Sequence, residues 1–141
     1  AEPDKKMSKS DSNENAVVRI LDGRAVIIKK FKRAVTDSGA EVRRADDKPG
    51  VSNLMTIYSA FTGKSDEESE REFEGRGYGD FKLAVGEAVA AMLEPIREKY
   101  NTLISDKAQL IEIYRAGAEK ADYLATKTLS KVYKKVGLTA R

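Results

Sequence analysis

Apolar residues recur along most of this chain at spacings of three and four, the repeat of a helix that buries one face. Ile27, Ile28, Phe31, Ala34 and Val35 form the first such stripe, with Lys29, Lys30, Lys32 and Arg33 between them and Asp22 placed to cap the start. Residues 16–21 are a shorter apolar stretch, either a strand remnant or the lead-in to that helix. Residues 36–48 carry no stripe and contain Ser38-Gly39, which predicts a long loop, and Lys48-Pro49-Gly50 predicts a turn. A second helix carries Leu54, Ile57, Tyr58 and Phe61 and stops at Thr62-Gly63. Ser65-Asp66-Glu67-Glu68 is a capping box for a short third helix ending near Phe73, and Gly75, Gly77 and Gly79 follow. Two long helices complete the pattern. Phe81, Val85, Val89, Met92, Ile96, Tyr100 and Leu103 mark one, with Pro95 predicting a kink. Leu110, Ile113, Tyr114, Gly117, Ala121, Leu124, Ala125, Thr128, Val132 and Val136 mark the other, capped by Ser105 or Asp106 and ended by Gly137. The short link makes these two antiparallel neighbours, with Gly86 expected near Ala125.

The expectation is an all-α fold: a bundle of about five helices, two long ones at the C-terminal end, preceded by a polar loop over residues 1–15. Composition agrees, with 35% charged residues and only 7% aromatic ones among 141. Such a length allows a real core. Cysteine and histidine are both absent, which removes disulfides, thiolate chemistry, the usual general base and the commonest metal ligand. No metal-ligand spacing stands out; the Glu67, Glu68, Glu70, Glu72 and Glu74 run is read as helix capping and solvated surface. The longest purely apolar run, residues 88–93, is too short to span a bilayer, and the first residues are too polar for a signal peptide. A cytoplasmic protein without a membrane partner is expected. The formal charge of +3 is modest, so any nucleic-acid reading rests on where the charges sit.

One segment carries chemistry. Lys6-Met7-Ser8-Lys9-Ser10, followed by Asp11, matches all five positions of the KMSKS motif of class I aminoacyl-tRNA synthetases. The residue types suit ATP. Attack on an α-phosphate shifts negative charge onto the departing pyrophosphate, and two ammonium groups on a loop can follow it. Serine hydroxyls and loop amides donate to phosphate oxygens, and methionine offers a polarizable surface for adenine.

The downstream blocks narrow the resemblance. Residues 48–63 (Lys48-Pro49-Gly50-Val51-Ser52-Asn53-Leu54-Met55 through Thr62-Gly63), residues 73–82 (Phe73-Glu74-Gly75-Arg76-Gly77-Tyr78-Gly79-Asp80-Phe81-Lys82), Glu94-Pro95-Ile96, Gly117-Ala118-Glu119-Lys120-Ala121 and Ala34-Val35-Thr36-Asp37-Ser38 resemble the bacterial tryptophan–tRNA synthetases, in the same order and over nearly the whole chain. That resemblance implies an ATP-dependent ligase that activates tryptophan and charges tRNA. It implies that Lys6 and Lys9 hold the phosphates in catalysis, that Met7 lies near adenine, and that Ser8 and Ser10 shape the loop. It also implies Mg2+ accompanying ATP and a homodimeric intact enzyme. Residues 1–15 would then be the tail of a Rossmann-like catalytic domain and residues 16–141 a helical domain that reaches the tRNA anticodon. The family's HIGH signature normally contains histidine, and this chain has none. The sequence is therefore read as a C-terminal portion, not expected to activate tryptophan alone.

From Tyr123 onward there are basic residues and no acids. Lys127, Lys131, Lys134 and Lys135 are candidates for tRNA phosphate contacts, against the plainer reading of cations that complement a helix C-terminus. The basic positions of the Lys29–Arg33 helix divide in the same way. Tyr58, Tyr100, Tyr114 and Tyr133 are read as packing, not base stacking, and the stripes as core. Two other functions stay open on the residues alone: a free-standing helical RNA-binding module without catalysis, and a plain structural helical domain.

Overall fold

The computed structural model describes residues 13–138. A 3-10 turn, Glu14–Ala16, precedes five helices: α1 (Arg24–Lys32), α2 (Pro49–Thr62), α3 (Asp66–Glu72), α4 (Gly77–Ser105) and α5 (Lys107–Val136). There is no strand among the described residues, so the expected all-α class holds, as do the two long helices at the C-terminal end. The chain divides into two compact units, residues 1–98 and 99–141, with α4 contributing to both.

The helix ends follow local chemistry. Ser65 accepts from the Glu68 amide while the Glu68 carboxylate accepts from the Ser65 amide, closing the capping box of α3. Asp106 accepts from the Gln109 amide and caps α5. Gly63 and Gly137 end α2 and α5 with φ of 75° and 74°, a backbone shape that costs glycine nothing. Two expectations are corrected. Lys48-Pro49-Gly50 is not a turn ahead of α2 but its opening, because proline fits the first helical turn, where its missing N–H is not needed. Asp22 does not cap α1; Gly23 holds that position, and the Asp22 carboxylate is drawn away to the Arg19 amide and the Lys30 ammonium.

The first unit is built around Ile27, Phe31, Val42, Val51, Leu54, Met55, Tyr58, Phe73, Tyr78, Phe81, Val85, Val89 and Ala90. Tyr58, Phe73 and Phe81 meet edge-on or tilted, with ring centroids 5.1–6.0 Å apart, which suits their quadrupoles. Helix α1 runs antiparallel to the first part of α4. Arg97 donates to the Asp22 carbonyl at 3.1 Å, Arg24 pairs with Glu87 at 2.6 Å, and Lys82 donates to Thr36 at 2.9 Å. Gly86 sits at their crossing, where an added Cβ would lie 3.2 Å from the Ile28 Cα. Within this unit the close approach at Gly86 is made with α1. Val35, expected in the α1 stripe, is 60% exposed because the helix ends before it.

In the second unit no described residue is buried. The stripe of α5 is helical as expected but is not core: Ile113, Tyr114, Leu124, Val132 and Val136 are all exposed. The packing role expected of Tyr100 and Tyr114 fails for the same reason, while Tyr58 is buried and Tyr133 half-buried. Periodicity reports that a face is apolar, not what lies against it. No helix among the described residues is long and apolar enough to cross a membrane.

Candidate functional site

The motif Lys6-Met7-Ser8-Lys9-Ser10 lies outside the described residues. What the structure describes is the chain that follows it and how that chain is fixed. Asn13 accepts from the Asn15 amide at 3.0 Å and caps the 3-10 turn. Arg33, at the end of α1, reaches the Asn15 side chain at 3.4 Å. Lys30, nearly buried, donates at 2.6 Å both to the Val17 carbonyl and to Asp22. A buried ammonium needs such partners to offset its desolvation. Burial alone would raise the Asp22 carboxyl, but the Lys30 ammonium and the Arg19 amide outweigh it and hold it below its ordinary range. The segment leading out of the motif is thereby tied to α1.

The chain after α1 is irregular yet fastened at several points. Tyr78 donates to the Asp37 carboxylate at 2.8 Å, and Lys48 reaches Tyr78 at 2.7 Å and Asp37 at 3.2 Å. The Gly39 amide adds a third partner to Asp37 at 2.7 Å. Against the desolvation that would raise it, the Tyr78 hydroxyl, the Gly39 amide and the Lys48 ammonium bring the Asp37 carboxyl down to about 2. The Tyr78 hydroxyl holds the Lys48 amine above its usual range. Further on, Arg44 forms a forked pair with Asp66, and its own amide donates to Glu70 at 2.9 Å. Val42 packs into the core between these fastenings. Sequence reasoning did not find the Asp37–Lys48–Tyr78 group, because its members are 11 and 41 residues apart and follow no local motif.

The four candidate lysines Lys127, Lys131, Lys134 and Lys135 are all exposed on the last part of α5. Spacings of four and of three or four place them along one side of the helix. None makes an ion pair with a described residue. The arrangement can meet a line of negative charge, and it lies at the negative end of the α5 dipole. The acidic run of α3 is occupied structurally: Glu72 accepts from Tyr58 and Lys64, and Glu70 from Arg44. Among the described residues no group of three or more acids could hold a metal ion.

Comparison with known proteins places this arrangement. The family model described as tRNA synthetases class I (W and Y) matches residues 1–94, which includes the motif and α1 to α3. The chain belongs to that family. It is 49% identical over 99% of its length to a tryptophan–tRNA ligase of Clostridium perfringens, and 49% identical to one of Bacillus anthracis. The crystal structure of tryptophanyl-tRNA synthetase from Mycoplasma pneumoniae superposes with a TM-score of 0.73 at 33% identity, covering 98% of this chain and 42% of that one. The chain spans 42% of the length of the Clostridium perfringens relative and 43% of the Bacillus anthracis one. The resemblance noted in residues 48–63 and 73–82 is thus a family relationship with named tryptophan–tRNA ligases.

Proposed function

We propose that this chain is part of an ATP-dependent tryptophan–tRNA ligase that activates tryptophan as its adenylate and then charges tRNA(Trp). The observation that carries the reading is the alignment of 99% of the chain, motif included, with a tryptophan–tRNA ligase at 49% identity. In activation the tryptophan carboxylate attacks the α-phosphate of ATP and pyrophosphate departs. Lys6 and Lys9 neutralise the charge that gathers on the departing oxygens, Met7 packs near adenine, and Ser8 and Ser10 donate to phosphate and shape the loop. Mg2+ arrives on the ATP phosphates. Lys127, Lys131, Lys134 and Lys135 meet tRNA phosphates. Residues 1–15 belong with the catalytic domain and residues 16–141 with the tRNA-binding helical domain. The working enzyme is a cytoplasmic homodimer, and its tryptophan pocket lies in a part of the longer protein that these residues do not include.

ATP–pyrophosphate exchange with tryptophan tests the reading. The 141-residue chain by itself gives no exchange above background. In a longer protein that includes it, Lys6→Ala and Lys9→Ala each slow exchange about a hundredfold or more. Wild-type rates in both variants would remove the catalytic assignment, and exchange by the chain alone would remove the division of labour.

A further inference from the structure

Among the aspartates and asparagines of the sequence, only Asp22 is followed by glycine. That pairing has a chemistry of its own. With no Cβ on the following residue, its amide nitrogen reaches the aspartyl carboxyl unhindered. The Gly23 nitrogen attacks Asp22 Cγ, its proton leaves with one carboxyl oxygen as water, and a five-membered succinimide closes. Water then opens one of the two carbonyls. Opening at Cγ restores aspartate; opening at the main-chain carbon leaves isoaspartate, with the backbone running through the side chain. Solvent supplies the water, and nothing is oxidised or reduced.

The fold does not call for glycine here. Gly23 has an ordinary φ of −69°, and an added Cβ would meet nothing within 4 Å. Its surroundings, by contrast, are fastened. The Asp22 amide donates to the Arg19 carbonyl at 3.0 Å, Arg97 donates to the Asp22 carbonyl at 3.1 Å, and the Gly23 carbonyl accepts from the Val26 amide at 2.9 Å. One carboxylate oxygen of Asp22 accepts from both the Arg19 amide, at 2.9 Å, and Lys30, at 2.6 Å. The side chains of Lys30 and Asp22 are only 9% and 13% exposed. Burial pushes the Asp22 carboxyl up, but the Lys30 ammonium and the Arg19 amide outweigh it and keep it ionised. An ionised, tethered carboxylate is a poor target for an amide nitrogen.

We propose that Asp22-Gly23 is an isoaspartate-forming site latched by Lys30: shut while Lys30 holds the carboxylate, open once the chain ahead of α1 lifts away from that lysine. Local opening of such a segment needs far less than global unfolding. Conversion adds one methylene to the main chain at the entry to α1 and moves the carboxylate. Lys30, left without its counter-charge, then pays for its burial unpaired, so the pair does not re-form. A transient opening is thereby written into the backbone as a lasting one. The proposal is independent of the ligase reading.

The plainer account is an Asp-Gly bond that isomerises at its own rate, whatever Lys30 does. The two accounts separate in one experiment on the 141-residue chain. Wild type, K30Q and G23A are incubated at physiological temperature and neutral pH, with wild type in urea as the unfolded reference. Isoaspartate is counted by methyl transfer from S-adenosylmethionine with a protein-isoaspartate methyltransferase, and placed by peptide mapping with electron-transfer fragmentation. Isoaspartate at Asp37, which precedes Ser38, reports global unfolding in the same samples. Native wild type is expected to isomerise at Asp22 well below its urea rate. K30Q raises the Asp22 rate roughly tenfold, the factor carried by one charge-assisted hydrogen bond, while Asp37 stays at its wild-type rate. G23A, which the fold accommodates, forms little isoaspartate at Asp22. An Asp22 rate in K30Q no higher than in wild type overturns the proposal. So does a native wild type as fast as the urea sample, a rise in K30Q shared equally by Asp37, or G23A as reactive as K30Q. If K30Q does not fold, R97Q takes its place, since it frees only the Asp22 carbonyl. It is expected to raise the Asp22 rate by a smaller factor, and no rise in R97Q then refutes the latch.

Discussion

The two units of this chain are both helical but are held in shape by different means. In residues 13–98 side chains fasten segments far apart in sequence: Tyr78 to Asp37 across 41 residues, Lys82 to Thr36 across 46, and Arg97 to the Asp22 carbonyl across 75. In α5 the described contacts are local: the Asp106 cap, the Arg115–Glu112 pair three residues apart, and the Gly137 end. Fastening over long range fixes where a residue stands in space. Local contacts fix only that a helix forms. A surface meant to hold a ligand in register is better placed on the first kind.

The largest test of the contrast is a pair of truncations. Phe81 is fully buried and touches both Tyr58 and Phe73. Phe81→Ala is expected to cost about 3–5 kcal/mol in urea unfolding. Leu124, 57% exposed on α5, changes stability by less than about 0.5 kcal/mol when cut to alanine. Equal losses at the two positions would mean that the α5 face is packed in solution, and the contrast would fall.

A second test uses one substitution with opposite signs. A Cβ on Gly50 would lie 2.3 Å from the Val35 carbonyl oxygen, a backbone atom that cannot swing aside. Gly50→Ala therefore displaces α2 from the chain that follows α1 and costs about 1–3 kcal/mol. Gly117 lies within α5 with nothing near its added Cβ. Gly117→Ala removes backbone freedom from the unfolded chain and gains roughly 0.5–1 kcal/mol, read as a higher thermal midpoint for the α5 signal. A gain at Gly50 would show that the approach of α2 to Val35 is loose.

How far the sequence reached follows the same division. The capping box at Ser65, the glycine ends at Gly63 and Gly137 and the Asp106 cap were legible, because each is a short-range exchange of hydrogen bonds. The neighbour of Gly86 was not, since an apolar stripe on α4 does not say which helix will cross it. Asp22 had the chemistry of a cap, but a buried lysine competed for its carboxylate. For the site, Lys6–Ser10 stands as a motif resemblance whose residue types suit phosphate, and it lies outside the described residues. The lysines of α5 could be found but not ranked, because a phosphate contact and a dipole complement call for the same exposed cation at a helix end. The group of Asp37, Lys48 and Tyr78 gave no signal at all, for it exists only once α2 and α4 are in place.

That group supplies the smallest effect and the finest test. Its carboxylate is partly open to water, so its ion pair with Lys48 is screened. The sign is still definite. The Asp37 carboxyl is depressed to about 2 in the folded chain, whereas an unfolded aspartate titrates near ~4. The folded state therefore prefers the ionised form. The stability this adds is present in full above pH ~4 and is lost as the pH falls toward about 2. Asp37→Ala should lower the urea midpoint at pH 5 and above, and the gap to wild type should narrow steadily between pH 4 and 2. Raised salt should shrink the gap at neutral pH only partly, because the Tyr78 hydroxyl and the Gly39 amide hold the carboxylate without ionic charge. If the gap is instead the same at pH 2 and pH 7, the ionised carboxylate does not fasten this loop. The long-range character of the first unit would then rest on its apolar contacts, chiefly Val42 and the aromatic cluster, and not on polar fastenings.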